Sequence, residues 1–227
     1  MHFHLGGAMP ELAQASRIEQ GIGLAYQSYL DQNYRQAAEL FGEVGVDENC
    51  PVERVVYAHA CAEAGVPISA ELLDKLAAGN AAEQAAVQAI ALLKQGDRAE
   101  GSTTLLQAFA LMKSNPWGLE RIYDSLLRHA LALATSDNRL AGPIFENISE
   151  PFAMYRLEDK RKLVRFLVAE IMGTKQIAES LEEIEPNVPW KDWLLRKRQS
   201  VYRELNHDLS AKAQADLQQY LGWATSP

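Results

Sequence analysis

The side chains of this 227-residue chain best suited to chemistry are five histidines, two cysteines and a short acidic run. His2 and His4 form a His-x-His pair, but a metal centre needs three or four ligands in fixed geometry, so they read as part of a flexible N-terminus over residues 1–14. His59, His129 and His207 are scattered and lack an HExxH arrangement, which points to solvated or helix-end roles. The run Glu179–Glu185 offers paired carboxylates, yet acid–base work needs one of them buried, and charges this dense on one short helix read as a solvated face. No GxSxG elbow, Walker loop or strand–GxGxxG–helix stretch occurs, and Ser180 and Ser200 have no nearby histidine. The expectation is a chain without catalytic residues, metal or cofactor.

Two basic clusters are the next candidates. Arg156, Lys160, Arg161, Lys162 and Arg165 form one; Lys191, Arg196, Lys197, Arg198 and Arg203 form the other, just after Trp190 and Trp193. Phosphate binding would gather such cations on one face. Here Glu158, Asp159, Asp192 and Glu204 are interleaved, which favours salt bridges three or four residues apart along a helix. An acidic balance also argues against a nucleic-acid partner: net charge is −8, of which −7 lies before Ser114. Trp117, Trp190, Trp193 and Trp223 read as rings closing the core where helices meet.

The elements that must position these residues are helical nearly throughout. Apolar residues make up 48% of the chain, charged residues 23%, and Ala, Leu, Gln, Glu and Arg dominate over β-branched runs. Leu119, Ile122, Tyr123, Leu126, Leu127, Ala130, Leu131 and Ala134 repeat at helical spacing, as do Leu157, Val164, Leu167, Val168, Ile171 and Met172. Pro51, Pro116, Pro151 and Pro189 read as first helical positions, where the missing N–H is harmless. No stretch approaches the ~18 apolar residues needed to span a bilayer. Cys50 and Cys61 lack a CxxC arrangement and read as two thiols in a reducing cytoplasm.

Three hinges recur: Asp31–Ala38, Glu63–Ala70 and Lys94–Gly101. Their small residues Ala37, Ala70 and Gly101 are spaced 33 and 31 apart, as expected where paired helices cross closely. With Leu24-Ala25, Asn33-Tyr34, Phe41 and Val44 in the first unit, Tyr57-Ala58 and Ala77 in the second, and Ala89, Gly96-Asp97, Leu105 and Ala108 in the third, the chain resembles the tetratricopeptide-repeat family. The family's early Trp is replaced by Gly21, and its closing Pro is displaced to Pro51 and Pro116. The resemblance implies an all-α, right-handed solenoid of helical hairpins, with degenerate repeats over residues 15–115. Residues 116–227 would then be further, irregular hairpins that continue or cap it.

The later half also resembles the helical-repeat tail of bacterial membrane-transporter/spermidine-synthase fusion proteins. The residues concerned are Glu150–Ala153, Leu157–Arg161, Glu185–Trp190, Tyr202 and His207–Leu209. That resemblance implies an accessory domain of an aminopropyltransferase-like or transporter system. An all-helical small-ligand binder or enzyme is a further alternative, which would show a polar internal pocket.

The tetratricopeptide resemblance also implies a binding face. The first helix of each pair lines the inner surface, so Glu19, Ile22, Tyr26 and Tyr29 face a partner segment, with Val52, Val55 and His59 as second-unit counterparts and Glu83, Ala86 and Ile90 as third. These side chains are apolar, tyrosine and acid. They suit an apolar or mildly basic protein segment and not an acidic C-terminus. Solenoid ends leave apolar faces uncapped, so self-association is a further expectation.

Overall fold

Side-chain oxygens just ahead of apolar runs decide where most helices of the first half begin. The computed structural model describes residues 17–47 and 49–224, and these form twelve α-helices, short 3-10 turns and no strand. The His2/His4 pair and the expected N-terminal segment 1–14 lie outside the described residues. The first six helices are α1 (Arg17–Leu30), α2 (Tyr34–Val44), α3 (Pro51–Ala64), α4 (Ala70–Gly79), α5 (Ala81–Gln95) and α6 (Arg98–Met112). Asn33 accepts from the Gln36 amide at the start of α2, Ser69 from Leu72 at α4, and Asn80 from Ala82 and Glu83 at α5. Asp97 caps Glu100 in α6 in the same way. Each cap satisfies amides that a helix start leaves without partners, worth about 1 kcal/mol apiece. Gly65 and Gly96 end α3 and α5 in the left-handed region, with φ of 69° and 89°, where a side chain would be strained.

The chain divides into two units. The first runs to Leu111 and adds Trp117–Leu126; the second comprises Met112–Pro116 and Leu127–Pro227. Helix α7 (Glu120–Ser136) begins in one and ends in the other.

In the first unit each helix packs on the next through α1, α2, α3, α4 and α5, and α3 also packs on α5. The core at α1–α3 is built from Ala25, Tyr29, Ala37, Ala38, Phe41, Val56, Ala60 and Cys61. Small residues set the close crossings. Gly21 of α1 lies so near Val44 of α2 that a Cβ would overlap it, and a Cβ at Gly101 of α6 would overlap Leu93 of α5 to a lesser degree. In the second unit α8 (Ala141–Asn147), α9 (Glu158–Met172), α10 (Thr174–Ile184), α11 (Asp192–Glu204) and α12 (Ser210–Ala224) pack in the same sequential manner. The all-α class is thus as expected, and neighbour-on-neighbour packing is compatible with a helical repeat. Among the described residues no helix is long and apolar enough to cross a membrane.

Several local expectations fail for physical reasons. Ala37 and Gly101 are buried near the start of α2 and α6, but Ala70 is exposed. The hinge before it is longer, so Ser69 is the cap and Ala70 only the first residue of α4. Pro51 opens α3, whereas Pro116, Pro151 and Pro189 lie in the connections. The tryptophans do not close the core: Trp117 is 77% exposed and Trp223 63%. Trp190 stacks on Trp223, and Trp193 leans on Phe166.

Candidate functional site

Helix α1 carries one stripe, Ile18, Ile22, Tyr26 and Tyr29, at three- and four-residue spacing. Exposure falls along it. Ile18 is 59% exposed, Ile22 and Tyr26 are half-buried, and Tyr29 is buried. Helix α3 repeats the gradient, with Val52 50% exposed while Val55 and His59 are buried. Glu19 is exposed beside the open end. Tyr26 stands edge-on to Phe41 at 5.3 Å and lies close enough to the start of α3 to feel Glu53 and Cys50. Burial, with those two groups adding to it, pushes its phenol up to about 12.

The deep end of the stripe is closed by the chain itself. Tyr29 Oη and His59 Nδ1 share a 2.8 Å hydrogen bond, and Tyr34 packs edge-on against both rings. Glu63 sits 4.0 Å from His59 Nε2, pairs with Lys94 at 3.1 Å and accepts from Ser125 Oγ. Arg121 donates to the carbonyls of Tyr29 and Leu30 and lies over the Tyr29 ring. Residues just before and in the first turns of α7 therefore cover the C-terminal half of the α1/α3 face. Among the third-unit counterparts, Ala86, Ile90 and Glu83 are buried. Glu83 accepts from the Leu119 amide at 2.6 Å, and burial raises its carboxyl against that bond and one from Asn80.

Of the expected partner-facing residues, Glu19 and Val52 are exposed, Ile22 and Tyr26 are half-buried, with Tyr26 packed against the core, and Tyr29, Val55 and His59 are interior. His59 is neither solvated nor at a helix end. The sequence reading also missed Ile18 and Arg121. Ile18 was legible as one turn ahead of Ile22; nothing local ties Arg121 to a helix ninety residues earlier.

The second unit holds the charged groups in a different arrangement from the one expected. The acidic run is a solvated face only in part: Glu179 and Glu182 are exposed, while Glu183 and Glu185 turn inward onto arginines. Arg161, wholly buried, is held by Glu158, Glu183 and the Ile148 carbonyl; Arg165 by Glu179 and Glu183. Arg198, also wholly buried, grips both oxygens of Glu185 at 2.6 and 2.9 Å and Asp216 at 2.8 Å. The basic clusters therefore spend their inner arginines on carboxylates of other helices, beyond the i,i+3 and i,i+4 pairs expected. His207 stacks on Tyr202, bonds Glu182 through Nε2 and accepts from the Leu209 amide through Nδ1.

Cys50 and Cys61 are free thiols, and burial pushes that of Cys61 up to about 11, against a bond from Tyr57. Among the described residues no group of three or more His, Cys, Asp or Glu is placed to hold a metal. What the α1/α3 face offers chemically is apolar contact area rimmed by acids. No family model matches the chain, and neither the curated proteins nor the solved structures give a significant match.

Proposed function

We propose that this chain is a non-catalytic protein-interaction scaffold of tetratricopeptide-like hairpins, and that the open half of the α1/α3 face takes an apolar or mildly basic segment of a protein partner. The observation that carries this reading is the exposure gradient. A helix buried on one stripe normally hides the whole stripe, yet here Ile18 and Val52 remain at least half exposed while the same stripes are fully packed further along. Such an edge is a natural seat for a partner helix laid along apolar residues at helical spacing. Glu19 and Glu53 at its margin favour basic over acidic neighbours in the ligand.

Ile18→Glu with Val52→Glu tests the reading, because both side chains are exposed and their replacement leaves the core untouched. The double variant is expected to keep the helical content and thermal midpoint of the parent and to lose the partner that co-purifies with it. Retention of that partner at unchanged stoichiometry rejects the α1/α3 face as the binding surface.

A further inference from the structure

We propose that the partner seated on the open half of the α1/α3 face is a second copy of this chain, which presents the start of its α11 and the end of its α12. The inference rests on the scaffold reading and names its partner.

Helices α11 and α12 carry an exposed aromatic patch. Trp190, just before α11, stacks on Trp223 near the end of α12 with ring centroids 5.1 Å apart, and Tyr220 stands 6.4 Å from Trp190. The two indoles are 42% and 63% exposed. Rings left in water in this way, side by side, offer the kind of contact area on which protein interfaces are built.

Cations surround the patch. Lys191 is exposed, Arg196 lies close enough to Tyr220 to feel its phenol, and Lys212 shares a cleft with Trp190. Glu185 and Asp216 line the same cleft but are committed to the buried Arg198, and Asp192 is paired with Arg196 at 2.9 Å. From Val188 to Ala224 there are six Lys or Arg against four Asp or Glu, a net charge of +2 in a chain of −8.

The two patches are complementary to each other and not to themselves. Ile18 and Val52 are bordered by Glu19 and Glu53, in the part of the chain that carries −7. Paired like with like, either patch would set charges of one sign against each other. Paired crosswise, apolar side chains meet aromatic ones and acids meet bases. The contact is therefore heterologous, and because every copy brings both patches it propagates beyond a pair.

Complementation between two defective chains tests this. Light scattering and sedimentation velocity on the parent should show a mass that rises past the dimer with concentration. Ile18→Glu/Val52→Glu removes one patch and Lys191→Glu/Trp223→Glu the other. All four side chains are exposed, so both variants should keep the parent's helical content. Each alone should weaken self-association by about tenfold or more. Mixed, they should form a one-to-one pair that grows no further, since each supplies the patch the other lacks. If either double variant folds poorly, Glu19→Lys and Lys191→Glu serve in the same way, each weak alone and assembling when mixed. The inference is overturned if the parent stays monomeric at every concentration, if the mixed variants do not pair, or if Lys191→Glu/Trp223→Glu assembles as the parent does. Native co-purification should recover the untagged chain itself. Recovery of a different protein instead, lost from Ile18→Glu/Val52→Glu, overturns the inference and leaves the scaffold reading standing.

Discussion

Glu183 is the carboxylate on which two inner arginines converge. Arg161 is fully buried and Arg165 nearly so, and both reach Glu183 from α9. Without Glu183, Arg161 keeps Glu158 and the Ile148 carbonyl and Arg165 keeps Glu179, so each arginine loses one charge-assisted hydrogen bond and not its whole counter-charge. Glu183→Ala should therefore destabilise the protein by about 2 kcal/mol, more than an exposed ion pair is worth, with chemical denaturation as the check. Exposed pairs such as Arg196–Asp192 should change stability by under about 1 kcal/mol when broken. Glu83 is the opposite case. Its carboxyl is raised by burial, so its charged form opposes folding at neutral pH, and that penalty disappears as pH falls through the folded value. Glu83→Gln keeps an acceptor for the Leu119 amide and should raise the melting temperature at neutral pH, with a gain that shrinks on acidification. A lowered melting temperature at neutral pH would contradict this.

At the scale of elements, the helices of the first unit are positioned by caps and small residues. Gly21 permits α1 to approach α2 at Val44. Gly21→Ala improves helix propensity by up to about 1 kcal/mol, but the overlap with Val44 costs about 1–3 kcal/mol, so the net effect should be destabilising. Val44→Ala in the same chain should restore most of the loss, and a double-mutant cycle in denaturant measures that coupling. Hinges and apolar stripes of this kind were legible in the sequence because each depends on neighbours within one turn. Ala70 misled because a longer hinge moved the helix start, a shift that spacing alone does not reveal. The burial of His59, the reach of Arg121 to Tyr29 and the convergence of Arg161 and Arg165 on Glu183 were not legible. Each joins distant helices, and a polar residue in a helical pattern carries no local mark of its partner. The site was thus readable as a stripe, but not where along it the chain covers itself.

For the whole molecule, acid should unfold the chain through its carboxylate–arginine clusters. The Glu158 carboxyl is held below its ordinary value of 4.5 chiefly by Arg161. For Glu185 and Asp216 burial works upward, but bonds from Arg198 outweigh it and both carboxyls are lowered from 4.5 and 3.8. Lowered folded values mean that this stability is complete above the unfolded values and is lost as pH falls through the folded ones. The urea midpoint should therefore be nearly flat from about pH 7 to pH 5 and fall below about pH 4. A midpoint unchanged down to about pH 3 would mean that these clusters contribute little to folding.

The scaffold reading is tested most directly by native co-purification from the source organism, with the parent chain and the Ile18→Glu/Val52→Glu variant side by side and Leu163→Glu as the control at another exposed apolar position. The account predicts one stoichiometric partner on the parent and the control, and its loss from the double variant. A partner retained equally by all three chains, or no partner on any of them, would contradict it.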